Sequence, residues 1–382
     1  MHTDRGVRPW RGAGGAVADV RALGAFFALL FLHAALTVLI QAAIGTGWLP
    51  APRLALWHGH ELLFGFASGM MGGYLMGLRN PGRLRVLLAP WLAGRVGILL
   101  AMTEGSAFWV GFALFYPFVL VFCAVRPFLK GGLRLRNRMF ALPPMLLLLA
   151  ECLFVWNSLT AGDGVTALLI AATAVIGMML LVGGRLAMAA INGQRQKRGL
   201  VRLSTSWDAR LEYALALCLS DWLDAELVGA GNIARAAVAI LVLLAVLRLL
   251  LWRPGPALAA RRVRLYLLGL GWVLTGLAWR AVTVPSDLHA MLVVLHPAFV
   301  GGLAILAGSV SLQARLQRIV PLAELDAAVE GAAALFSVAA LARIVGTVNG
   351  SWPWMMVAAF TWTAGALIII SRHLSGPRPA GG

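Results

Sequence analysis

Seven histidines carry most of this sequence's capacity for metal or proton chemistry, and five of them lie in or beside long apolar runs. His33 sits inside ALGAFFALLFLHAALTVLI, His58 and His60 open the string WHGHELLFGF, and His289 and His296 lie in DLHAMLVVLHPAF. His2 and His373 fall in the terminal tails. Neutral imidazole is a good ligand for haem iron, copper and zinc, and an apolar shell tunes such a metal. Helical geometry limits which rings can cooperate. His289 and His296, seven apart, share a helix face but stand about 10 Å apart along it, which suits two metals or two layers better than one ion. His58 and His60, two apart, point roughly 200° away from each other on a regular helix, so they serve different partners or the HGH segment is unwound. Glu61 is three residues from His58 and is placed to orient that ring as a hydrogen-bond acceptor. His58, His60 and His289 are therefore the metal-ligand candidates, with His33 and His296 as further cofactor-binding candidates. The ordinary alternative for any single ring is a hydrogen bond between helices. Five rings in one chain, gathered toward one side with an acid beside two of them, favour the metal reading.

Other residues could support such a site. Arg280, nine residues before His289, suits an anionic group such as a haem propionate; an interfacial anchor beside Trp279 is the plainer role. Pro297 predicts a bend directly after His296, with a freed carbonyl able to bind water or a side chain. Gly65, Gly69, Gly73 and Gly77 recur every fourth residue, which reads as close helix packing or as a flat wall for a planar cofactor. Glu151, Asp221, Asp224 and Glu330 are acids within apolar stretches, available to pair with Arg95 or Arg185. Cys123, Cys152 and Cys218 have no metal-like spacing and suggest no disulfide framework. Phosphate-binding glycine loops, nucleophile elbows and zinc-protease motifs are absent, which lowers hydrolytic and ATP-driven functions.

The elements that must position these residues follow from composition. The 382 residues are 60% hydrophobic and 12% charged, far from a soluble globule at about 25% charged. At roughly 20 apolar residues per crossing, the chain fills on the order of eleven or twelve spans. The apolar runs predict twelve helices at 22–44, 55–78, 86–103, 107–125, 139–159, 164–190, 211–229, 232–252, 264–284, 287–309, 326–347 and 352–371. The seventh is the weakest, since Asp221 and Asp224 interrupt it and an in-plane or re-entrant segment reads similarly. The N-terminal run is longer than a secretory signal's, so it reads as an uncleaved first span. The expected fold is all-α: one polytopic transmembrane domain, 1–382, with tails at 1–21 and 372–382 around a bundle at 22–371.

The net charge of +17 would suggest nucleic acid in a soluble protein, but here it marks topology. Twenty-six of the 32 Lys and Arg fall in alternate connections and the two tails, which predicts an even span number and both termini in the cytoplasm. The remaining six are Arg53, Arg95, Arg185, Arg235, Arg280 and Arg343. They lie at the outer face or within spans, where an arginine snorkels to the interface or serves a site. His58, His60 and His289 then belong near the outer surface, with His33 and His296 deeper.

The string WHGHELLFGFASGMMGGYLMGLRNPGR resembles the signature region of the NnrS family, a His-x-His-Glu segment followed by Phe-Gly-Phe. WLAGRVGILLA, RNRMFALPPMLLLLA and SDLHAMLVV resemble three further family segments in the same order, so the likeness covers most of the chain. His58, His60, Glu61 and His289 match its pattern. The chain departs from it at Asn80-Pro81-Gly82-Arg83, where members commonly have Asn-Trp-Thr-Gly. After Gly184-Arg185 it lacks the usual proline and Phe-Thr, and after His289 it lacks the later Gly-His-Thr-Gly.

The resemblance implies a twelve-helix bacterial inner-membrane protein associated with haem and copper and with resistance to nitric oxide and nitrosative stress, often beside denitrification. Haem is the first expected cofactor and copper the second. The expected partners are the lipid bilayer and nitric oxide or another small ligand, with no nucleic acid; enzymatic turnover is left open. Two other readings remain: a transporter for a metal ion, haem or small polar solute lined by the same His and acidic residues, and a cofactor-free assembly factor for a respiratory complex.

Overall fold

The structure is a computed structural model that describes residues 13–49, 56–77, 84–104, 106–129, 135–160, 162–318 and 324–375. The segment Asn80-Pro81-Gly82-Arg83 and most of both tails lie outside them. Of the described residues 88% are helical and none is in a strand. Twelve helical rods follow one another: α1 (Ala13–Gly45), α2 (57–77), α3 (Leu84–Glu104), α4 (107–129), α5 (Leu135–Leu159), α6 (Val165–Lys197), α7 (Thr205–Leu227), α8 (Gly231–Leu251), α9 (Arg261–Val282), α10 (288–316), α11 (Ala327–Asn349) and α12 (Trp352–Leu374). Nine helices among the described residues are long and apolar enough to cross a membrane.

The exceptions have local causes. In α2, which π turns widen at Glu61–Ala67 and Gly73–Gly77, His58, His60 and Glu61 lower the hydropathy, and among the described residues α3 contributes a shorter apolar stretch, Val86–Ala101. The charges of α7 dilute its hydropathy, yet it is a continuous 23-residue helix, not an interrupted segment. Side-chain caps start several rods: Ser204, Asp287 and Asp326 accept the N–H of Ser206, Ala290 and Val329 at the heads of α7, α10 and α11. Gly350, at φ 61°, closes α11 in the left-handed conformation that only glycine adopts without strain and lets the chain turn into α12.

Helix α6 is central: 83% of its most apolar 18-residue window is buried, against 33% for α8 and α12. The first and last helices pack together, so the bundle closes on itself. Exposed large apolar side chains line the outside, such as Phe115, Phe118 and Phe122 on α4 and Leu243, Leu247 and Leu250 on α8. A surface of that kind suits lipid contact rather than water.

One expected boundary shifts. His373 was expected in the C-terminal tail, but α12 runs on to Leu374 and His373 is 1% exposed, its Nε2 3.0 Å from Ser311 Oγ on α10. The helical pattern continues because Arg315 donates to the carbonyls of Arg372 and Ser375, both at 2.8 Å, and so caps its end.

Candidate functional site

A buried polar cluster in the bundle is built on α2. His60 is 0% exposed. Its Nδ1 lies 3.1 Å from Glu61 Oε1 and its Nε2 3.0 Å from Glu151 Oε1 on α5. Adjacent residues on a regular helix diverge by about 100°; His60 and Glu61 both face inward at the point where the wide π turn begins. Such turns recur at functional sites. Arg95 on α3 donates to Glu61 Oε1 at 2.8 Å. His33 on α1 brings Nε2 to 3.1 Å from Glu61 Oε2, out of line for a hydrogen bond, and sets its ring edge-on to Trp91 with centroids 5.1 Å apart. Trp91 donates to the Gly65 carbonyl at 2.8 Å and Tyr116 to that of Ser68 at 3.0 Å, tying α3 and α4 to α2.

The glycine ridge is packed, not open. A Cβ at Gly65 would stand 2.7 Å from His33 Nε2, one at Gly69 2.6 Å from Leu30, and one at Gly73 2.6 Å from Phe27. Side chains of α1 fill the face that could have been a flat wall, and the small residues serve close approach of helices.

His58 faces elsewhere. Its ring stacks with that of His296 on α10, with centroids 6.4 Å apart and planes 26° apart. The sequence left open whether His58 and His60 serve different partners or mark an unwound stretch; they serve different partners. Pro297 explains how His296 is held. Proline has no N–H to donate to the carbonyl four residues back, that of Val293. His296 Nδ1 occupies that carbonyl at 2.8 Å, so Nδ1 carries the proton and Nε2 keeps its lone pair. Arg343 NH2 on α11 lies 3.4 Å from that Nε2. His289 is exposed near the head of α10, and Asp287 beside it accepts the Ala290 N–H at 2.8 Å.

The structure thus distributes the candidate ligands. Among the described residues no three of His, Cys, Asp and Glu converge to hold a metal ion, so His58, His60 and His289 are not gathered as one three-ligand centre. Both ring nitrogens of His60 face carboxylates. Arg280, expected beside an anionic cofactor group, is 2% exposed and paired with Glu226, its NH2 2.5 Å from Oε1.

A second cluster lies where α5, α6, α7 and α8 meet. Asp208 and Glu212, one turn apart on α7, are 0% and 2% exposed. Arg136 reaches both at 2.7 Å, Arg185 reaches Glu212 at 2.9 Å, and Arg248 reaches Asp208 at 2.7 Å and Glu212 at 2.8 Å. Trp252 Nε1 donates to Asp208 at 3.1 Å. A cavity of about 110 Å³ between α5, α6 and α7 ends at Glu212 and Arg248. Sequence reading missed this cluster because Arg136 and Arg248 look like loop charges; the i, i+4 acids Asp208 and Glu212 beside an apolar run were the available signal. The acid partners of Arg95 and Arg185 are accordingly Glu61 and Glu212, while Glu330 pairs with Arg261 and Arg264 near the head of α11.

These features define a multi-pass helical membrane protein with histidines, carboxylates and arginines buried in its bundle. A family model described as NnrS protein matches residues 23–377, nearly the whole chain, and the chain belongs to that family. No curated protein and no solved structure matches it.

Proposed function

We propose that this chain is a bacterial inner-membrane protein of the nitric oxide and nitrosative-stress response that binds haem, with copper as a second metal, through histidines on the outer side of the bundle. Family membership supports the nitric oxide response. The observation that carries the metal reading is the His58 and His296 pair. Two imidazoles from different helices lie side by side, and the Nδ1–H of His296 is anchored on a carbonyl. That is how proteins hold a metal-ligating histidine in one tautomer. His60 is set apart from them by a carboxylate at each of its ring nitrogens, whereas the His296 Nε2 faces a guanidinium nitrogen at 3.4 Å, a donor that a metal could displace. A bound haem iron supplies a site for nitric oxide or a similar small ligand. The protein's own part is to hold the two rings and keep their surroundings dry.

The test is purification of the full chain from haem- and copper-replete cells, read by absorption spectrum and metal analysis. A Soret band that is lost in His58→Ala or His296→Ala, with helicity retained, is the expected result. A colourless, metal-free wild-type protein overturns the reading and favours the transporter.

A further inference from the structure

Five arginines inside the bundle, Arg95, Arg136, Arg185, Arg248 and Arg280, each face a carboxylate at 2.5–2.9 Å. Arg315 lacks one but donates to two helix-terminal carbonyls. Arg343 is different. It is half-buried in α11, has no carboxylate within 4.0 Å among the described residues, and its hydrogen-bond contact is the lone pair of His296 Nε2 at 3.4 Å. A cation taken partly out of water without a counter-charge is unfavourable unless something supplies the missing negative charge. One contact to a neutral ring nitrogen does not supply it.

We propose that Arg343, with the His58 and His296 rings beside it, binds a small oxyanion or a carboxylate group. The guanidinium offers a planar fork of donors that matches two oxygens on one atom. Three helices converge there, since His58 lies on α2, His296 on α10 and Arg343 on α11. Arg280 could not take this role because Glu226 already neutralises it. The anion has two sources with the same chemistry: a free ion such as nitrite entering from the outer side, or a propionate of a haem held by the neighbouring rings. The free-ion arm needs no metal, so a failure to bind haem would strike the proposed function and leave this inference standing.

Full-length protein purified haem-free in detergent and chloride-free buffer is titrated with sodium nitrite and, separately, sodium formate by calorimetry. Saturable binding that weakens roughly tenfold or more in Arg343→Gln supports the free-ion source, since a charge-assisted hydrogen bond of ~1.5–3 kcal/mol is lost. A second titration uses haemin and haemin dimethyl ester, read by the Soret band. Weaker haemin capture by Arg343→Gln, with the ester unaffected, supports the propionate source. Arg343→Lys covers the case in which glutamine does not fold: it keeps the charge but not the fork, so it must bind less tightly than wild type in whichever titration wild type shows. Absence of anion binding together with equal haemin capture by wild type and variants overturns the proposal, and so does anion binding that neither substitution changes.

Discussion

Two buried charge clusters occupy this bundle, and they are made of different material. The cluster around Asp208 and Glu212 is built with guanidiniums, which keep their charge at any accessible pH. The cluster around His60 sets two carboxylates against one guanidinium and two imidazoles, a side chain that takes or gives a proton near neutrality. The first is nearly saturated, with Arg136, Arg185, Arg248 and Trp252 all engaged. The second leaves buried polar atoms without a hydrogen-bond partner among the described residues: Glu151 Oε2, Arg95 Nε and NH2, and His33 Nε2. A saturated network locks helices in place, whereas buried groups with spare capacity mark a functional site or ordered water. The difference teaches that charge in this membrane protein does two jobs: clamping α5 through α8, and equipping the region around α2.

The contrast can be broken by substitution. Glu212→Ala leaves Arg136 and Arg248 sharing Asp208 and strips Arg185 of its carboxylate, and removing one partner of a buried ion pair costs about 3–5 kcal/mol. It should give the largest loss, read as a lowered midpoint in detergent-based unfolding followed by circular dichroism. Gly65→Val forces atoms against His33 and Arg95, and overpacking of this kind costs about 1–3 kcal/mol. It should also loosen the cluster around His60, seen as a changed His33 environment by NMR. Glu151→Gln keeps an acceptor for His60, so a loss of only about 1 kcal/mol is expected. If Glu151→Gln destabilises as much as Glu212→Ala, the distinction between an adaptable and a fixed cluster fails.

The smallest effect lies at the head of α10. The Ala290 N–H, then the Ser286 hydroxyl, hold the exposed Asp287 carboxyl below the usual carboxylate range. A depressed folded value means that the cap is fully present above the ordinary pKa of about 3.9 and is lost as pH falls through the lower folded one. A lower hydrogen-exchange protection factor at Ala290, corrected for the intrinsic pH dependence of exchange, is expected below roughly pH 4, with no change in protection at neutral pH. Asp287→Asn, which still accepts a hydrogen bond, should remove that acid sensitivity.

Much of the site was legible as a set of residues. Glu61, Arg95 and Glu151 stood out because charge in an apolar run is unusual, and His33, His58, His60, His289 and His296 because five histidines lie in or beside apolar runs. Their assignment to one another was not legible. Glu61 was expected to serve His58 and instead lies against His60, His33 and Arg95. Pro297 was expected to free a carbonyl, and the ring that takes it belongs to the neighbouring His296. His373 and Arg248 read as tail and loop charges, because burial at a helix end depends on what packs there.

By itself the sequence determined the all-α, multi-pass class, and nine helices among the described residues are long and apolar enough to span a membrane, because apolar run length and capping residues are local properties. Local chemistry also announced which side chains were unusual for a bilayer. Only the tertiary structure decided that His60 meets Glu151, 91 residues away, and that His58 turns to His296 instead. Those pairings depend on helix rotation and on the π turns that re-aim α2 and α10. Rotation is set by how neighbouring helices pack, and no single stretch of sequence contains that information.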